Sequence, residues 1–322
     1  MRNFIAFDLE GPLSPNDHAY ELMALAPGGR HTFEVLSRYD DLLALEGRQG
    51  YEPGDTLALI VPFLILYGIT EADIGRLAGK ATLTPGAAEL LARLKARGWQ
   101  VFIITTTYQP YAYALARRLS VPQERVAATL LPLDSYRKTF SEKDLAPIRE
   151  MEERIAGLAP EKEDREIKAA LDRFYWHDLK VSPLKRVLEQ VRPVGGSRKV
   201  AALGKFLGDQ PLREAVVVGD SITDFPMFQA VNWAGGLAVA FNANQYALPY
   251  ATIGLAAEGL LPLEEVLGAW EEGGRAAAEA LVRGQEKKGK ETFQWLQGKK
   301  DLPLEIHRHY RRLLRDRAAE LG

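Results

Sequence analysis

Two carboxylates one residue apart close a short apolar run, Phe4-Ile5-Ala6-Phe7-Asp8-Leu9-Glu10-Gly11-Pro12. Alternation along an extended chain turns Asp8 and Glu10 to the same side. Acids so placed repel each other unless a cation or a shared proton relieves them. A second acidic pair follows the apolar run 215–218, in Gly219-Asp220-Ser221-Ile222-Thr223-Asp224. Asp220 and Asp224 flank a turn that enters a helix, so both can face one site. Oxygen ligands without Cys or His suit Mg2+. The run 101–104 ends in Thr105-Thr106-Thr107, ahead of a helix starting near Pro110. Hydroxyls and helix N-terminal amides there can both donate to a phosphate. Lys199 opens another helix, where a cation opposes the macrodipole and points to a nearby anion. Taken singly, each segment reads equally well as a strand end with ordinary polar caps.

The elements that must position these groups follow from the apolar pattern. Runs 4–7, 101–104 and 215–218 are too short for helices and lack polar alternation, which predicts buried parallel strands. The C-terminal edge of such a sheet is where α/β enzymes place their chemistry. Runs 126–131, 237–241 and 251–255 predict further strands. Helical spacing is read over 18–26, 32–45, 57–67 and 70–78, the last with Thr70 and Asp73 at capping-box spacing. This is a helical module behind the first strand, with Met23, Phe33 and Leu36 as its core and Arg30, Arg38 and Arg48 mostly solvated. Thr84-Pro85-Gly86 opens a helix over 87–96.

Segment 134–193 predicts a second helical insertion with charged faces. Its Trp176-His177-Asp178 is expected to be a partly buried aromatic corner with a hydrogen-bonded histidine. From Leu261 on the chain reads as helical. Leu304, His307, Tyr310 and Leu314 keep helical spacing in a stretch rich in Lys and Arg (287–317), which predicts an amphipathic helix docked on the core or on a second subunit. The organisation is thus an α/β core over 1–13, 81–133 and 194–256, a helical cap over 14–80, the second insertion over 134–193 and a C-terminal extension over 257–322.

Composition narrows the class. The chain has 322 residues, 47% hydrophobic and 26% charged, as expected of a globular protein with a large core. A net charge of -2 offers no general attraction to nucleic acid or anionic membrane. Absence of cysteine excludes disulfides, thiol catalysis and thiolate-bound metal. The five histidines show no metal-ligand spacing. No leader pattern opens the sequence, and the apolar stretch 57–66 is short and interrupted by Pro62. The expectation is a cytoplasmic protein with neither membrane nor nucleic-acid partner.

The order of these segments resembles the haloacid dehalogenase-like hydrolase superfamily. That family runs apolar strand–Asp-x-Asp-Gly-Thr, apolar strand ending in Ser/Thr, Lys, then Gly-Asp-x-x-x-Asp. Here these stand as Asp8-Leu9-Glu10-Gly11-Pro12, Ile104-Thr105, Lys199 and Gly219 to Asp224. The resemblance implies a Rossmann-like sheet and an aspartyl-phosphate mechanism with Mg2+. Asp8 would be the nucleophile and Glu10 the acid and base. Thr105, Thr106 and Lys199 would hold the phosphoryl group. Asp8, the Glu10 carbonyl and Asp220 would ligate the metal, with Asp224 supporting the metal shell or Lys199.

Two positions depart from the family pattern: Glu10 replaces the usual second Asp, and Pro12 the usual Thr. The early cap resembles the phosphoserine phosphatase branch, which places Asp17 and Arg38 where that branch reads its substrate. Gly235 to Asn244 also resembles an archaeal branch named for subunit R of an energy-converting hydrogenase. The implied function is a phosphomonoester phosphatase acting on a small phosphorylated metabolite. A phosphotransferase using the same intermediate and a non-catalytic subunit of a larger complex are the alternatives. A homodimer is one expectation for the C-terminal helix.

Overall fold

An apolar run with no side chain for water to solvate needs cover on both faces, and β1 (Phe4–Phe7) is fully buried. The computed structural model of the chain describes residues 3–160, 162–181, 183–290 and 292–315. Behind β1 comes a run of five helices. Asp17 caps α1 (His18–Met23), accepting the Tyr20 N–H at 2.9 Å. Next is α2 (Gly29–Leu45), whose buried stripe includes Phe33, Leu36 and Tyr39. The stretch expected as one helix over 57–67 is two, α3 (Thr56–Leu59) and α4 (Val61–Leu66), parted at Ile60. Pro62 has no N–H to extend the first helix and its ring crowds the preceding turn. The capping box of Thr70 and Asp73 opens α5 (Glu71–Lys80).

The core then resumes with α6 (Ala87–Ala96), β2 (Gln100–Tyr108), α7 (Gln109–Arg118) and β3 (Val126–Thr129). The second insertion supplies α8 (Leu133–Arg137), α9 (Glu142–Ile155), α10 (Asp164–Trp176) and α11 (Leu184–Gln190). The core closes with α12 (Ser197–Leu207), β4 (Ala215–Gly219), α13 (Phe225–Ala234), β5 (Leu237–Phe241) and β6 (Ile253–Leu255). The C-terminal segment forms α14 (Leu263–Glu286), β7 (Phe293–Trp295) and α15 (Leu304–Arg315).

One sheet runs in the order β3-β2-β1-β4-β5-β6-β7. Its first six strands are parallel, and β7 adds antiparallel to β6, with Leu255 opposite Phe293. This Rossmann-like order leaves β1 and β4 side by side where the winding reverses, and the crevice beyond their C-terminal ends is the natural ligand site. The strand β7 was not expected, since its three residues lie in a stretch read as helical.

The two insertions pack on each other. Helix α10 lies on α2, α9 touches both α2 and α4, and α11 meets α3 and α4. Polar bridges tie the pair: the Tyr39 hydroxyl donates to Asp172 at 2.6 Å and Tyr175 to the Leu59 carbonyl at 2.7 Å. At the expected aromatic corner, Trp176 Nε1 donates to the Tyr39 hydroxyl at 2.8 Å and Arg48 stacks on its ring. His177, expected to be hydrogen-bonded there, is instead exposed.

The loop before α3 docks the cap on the core. Buried Asp40 of α2 accepts from the Tyr51 hydroxyl at 2.5 Å and from the Gly54 and Thr56 amides at 3.2 Å. Glu52 then accepts the Ser197 N–H at 2.8 Å, and Arg198 pairs with Asp55. Among the described residues no single helix is long and apolar enough to cross a membrane.

Candidate active site

Asp8 stands at the tip of β1, its N–H bonded to the Val218 carbonyl of β4 at 2.8 Å. Its carboxylate accepts the Leu9 N–H at 2.6 Å and meets Lys199 Nζ at 2.5 Å. Lys199, one turn into α12 and fully buried, also reaches Asp224 at 2.7 Å. The anion implied by a lysine near a helix start is therefore a pair of carboxylates. Asp224 in turn accepts the amides of Asp220 and Ser221 at 2.9 and 3.1 Å, which fixes the turn after β4.

Two glycines make room for this arrangement. A Cβ on Gly219 would strike the Asp224 carboxylate, and one on Gly11, at φ +90°, would strike that of Asp220.

Burial pushes the Asp8 carboxyl up, opposed by the Lys199 ammonium, while the charges of Asp224 and Asp220 push with burial. Burial pulls Lys199 down, but the carboxylates of Asp224 and Asp8 outweigh it and hold the ammonium above its ordinary range.

Glu10 turns to His18 at the start of α1. Its Oε1 accepts the His18 backbone N–H at 2.7 Å and lies 2.9 Å from Nδ1. The Tyr108 amide donates to Nε2 of the same ring at 3.2 Å, so the proton sits on Nδ1 and points at Glu10. Burial pushes the Glu10 carboxyl up, yet the His18 ring, both His18 N–H groups and Arg315 carry it below its ordinary value. Asp17 lies beside this group; burial and the charge of Glu10 push it up to about 6, against the pull of Arg315.

The threonines lie inside β2, which runs on to Tyr108 and so extends past the end expected at residue 104. Thr105 and Thr107 are fully buried, with hydroxyl oxygens 2.8 Å apart. The Thr106 carbonyl accepts the Thr129 hydroxyl at 2.5 Å, and the Thr106 methyl faces Gly54 of the docking loop and Gly195 before α12. Arg38 is not gathered here. Its guanidinium makes a two-point pair with Asp164 of α10, at 2.8 and 2.7 Å, and bridges the two insertions. That partner could not be foreseen without placing segment 134–193 over the cap.

Asp8, Asp220 and Asp224 each offer an oxygen, all within 4.8 Å of one another and all buried. By donor type this set fits a hard divalent cation. The structure also supplies cations of its own. Arg311 and Arg315 of α15 both reach Asp220 Oδ2, Arg315 at 2.8 Å. Neither arginine was anticipated. The helical spacing of 304–314 foretold a docked helix, but nothing local to Arg311 or Arg315 marked the acid they meet.

Comparison with known proteins agrees with this geometry. Residues 5–132 match the family model of haloacid dehalogenase-like hydrolases. By that match and by its sheet, the first part of the core is similar to haloacid dehalogenase-like hydrolases. Among solved structures, a gene product from Archaeoglobus fulgidus is 29% identical with a TM-score of 0.86, covering 100% of this chain and 99% of its own. A substrate-bound phosphoserine phosphatase is 17% identical over 82% of this chain and 98% of its own, with a TM-score of 0.50. A probable phosphoserine phosphatase from Vibrio cholerae is 18% identical over 89% and 67% of the two chains, also at 0.50. At such identities these two share the fold alone. No curated protein matches the sequence.

Proposed function

We propose that the chain is a Mg2+-dependent phosphatase that cleaves a small phosphomonoester through an aspartyl-phosphate on Asp8. The observation that carries this reading is the buried triad of Asp8, Lys199 and Asp224 at the tips of β1 and β4, with Asp220 alongside. A phosphoester repels nucleophiles by its charge, so catalysis rests on positioned donors and cations.

Asp8 is buried against Lys199 and aimed out of the sheet edge. Its carboxylate oxygen bonds to phosphorus as the ester P–O bond breaks. Glu10, ionised at rest because the His18 interactions outweigh burial, takes up a proton from solvent and gives it to the departing oxygen. It takes one back from the water that opens the acyl phosphate, restoring Asp8 and releasing phosphate. His18 holds Glu10 in place through its backbone and ring N–H groups. Lys199 and the threonines of β2 bind the transferring group, while Asp224 fixes the Lys199 ammonium. Asp8, the Glu10 carbonyl and Asp220 would hold Mg2+, which neutralises phosphoryl charge when bound. The helical cap over the sheet edge suits a metabolite-sized substrate.

The test is phosphate release from an aryl phosphate and a panel of metabolite phosphates, with Mg2+ and with a chelator, beside Asp8→Asn. Metal-dependent release that disappears in the variant is expected. Release that survives Asp8→Asn would refute the reading.

A further inference from the structure

Helix α15 is wired to the sheet edge. His307 is fully buried; its Nδ1 accepts the Ala243 N–H at 3.0 Å and its Nε2 meets Gln294 of β7 at 2.9 Å. Arg308 donates to Gln245 at 2.9 Å. The next two turns deliver Arg311 and Arg315, with side chains 3% and 7% exposed, onto Asp220. Buried guanidiniums are rare unless paired. Both guanidiniums meet one oxygen of Asp220, and Asp17 also faces both, with Glu10 and Asp8 facing Arg315.

Arg315 adds a second observation. Its Nε is buried and has no hydrogen-bond partner among the described residues. A buried donor left unmade costs free energy that an incoming acceptor recovers. The planar fork of arginine matches the oxygens of phosphate.

We propose that Arg311 and Arg315 form an anion subsite, which the Asp220 carboxylate fills until a divalent ion and a phosphate-bearing ligand bind together. This rests on the reading of Asp220 as a metal ligand. The ion and the two guanidiniums compete for one carboxylate. An ion alone must displace arginines that then lose their hydrogen-bonded carboxylate and keep only the field of nearby acids such as Asp17, and phosphate alone meets arginines already paired with Asp220. Together each satisfies the group that the other releases. By linkage, each ligand raises the affinity of the other by the same factor. The helix of the C-terminal extension thereby becomes part of the substrate site.

Calorimetric titration of the full chain with Mg2+, with and without inorganic phosphate, tests this. Phosphate is expected to tighten Mg2+ binding roughly tenfold or more, within the usual range of site coupling. In Arg315→Gln, Mg2+ alone should bind roughly fivefold more tightly, and phosphate should change its affinity by less than about twofold. Arg315→Lys keeps a cation but loses Nε, so Mg2+ alone should stay weak while the coupling falls; it serves if the glutamine variant does not fold. Phosphate that ligates the ion without these arginines would leave the coupling intact in both variants, which overturns the inference and spares the metal reading. Absence of Mg2+ binding in every form, phosphate present, overturns both.

Discussion

His18 and Glu10 form a hydrogen-bonded pair at the start of α1. Glutamate in place of aspartate reaches the first turn of α1, where His18 offers its backbone N–H and, with the tautomer set by Tyr108, its ring N–H. His18→Ala should lower kcat by roughly tenfold to a hundredfold. The loss should be greater for alkyl phosphates, whose departing oxygen needs a proton, than for aryl phosphates. Equal losses on both would mean that His18 serves packing alone. Gly11→Ala forces a side chain onto the Asp220 carboxylate at φ +90°. It should cost more than about 1 kcal/mol by thermal unfolding and weaken Mg2+ binding.

At this scale the sequence was legible where a residue conflicts with the local preference of its element. Lys199 stands at a helix end that disfavours it, and the conflict pointed to the carboxylates it meets. Arg311 and Arg315 sit on a helix that tolerates arginine anywhere, so their meeting with Asp220 left no local trace. The same holds for Arg38, whose partner Asp164 lies in another insertion.

At the scale of elements, short apolar runs marked β1, β2, β4 and β5, because a strand covered on both faces has no polar positions to blur the signal. Apolar spacing over 57–67 masks the break that Pro62 imposes between α3 and α4. Strand β7 exists through its pairing with β6, which is a tertiary fact rather than a local one.

Helix α2 carries an electrostatic liability. Burial lifts Asp41 from 3.8 to about 6, with only Arg38 opposing, and its Oδ1 has no partner among the described residues. Between pH 4 and 6 the folded chain holds a proton here that the unfolded chain releases, so stability falls as pH rises through that window. Asp41→Asn removes the liability. It should match the parent near pH 4 and be more stable by about 2 kcal/mol at pH 8, as followed by thermal unfolding. A constant difference across pH would contradict this assignment.

The whole molecule is a sheet whose edge at the tips of β1 and β4 is enclosed from two sides. The paired insertions cover it through the Glu52 and Asp55 contacts with α12, and the C-terminal helix closes it at Asp220. His307→Leu removes the acceptor of the Ala243 amide and the Gln294 contact. It should cost about 2 kcal/mol and raise hydrogen exchange across α15 before it does so in β1 or β4. In the proposed reaction Asp8 is the covalent acceptor of the phosphoryl group. Acid-quenched mass spectrometry of the full chain turning over an aryl phosphate with Mg2+ tests it most directly. A phosphate on the peptide carrying Asp8, absent from Asp8→Asn, is the predicted result. Turnover with no phosphorylated peptide, and undiminished in Asp8→Asn, would contradict it.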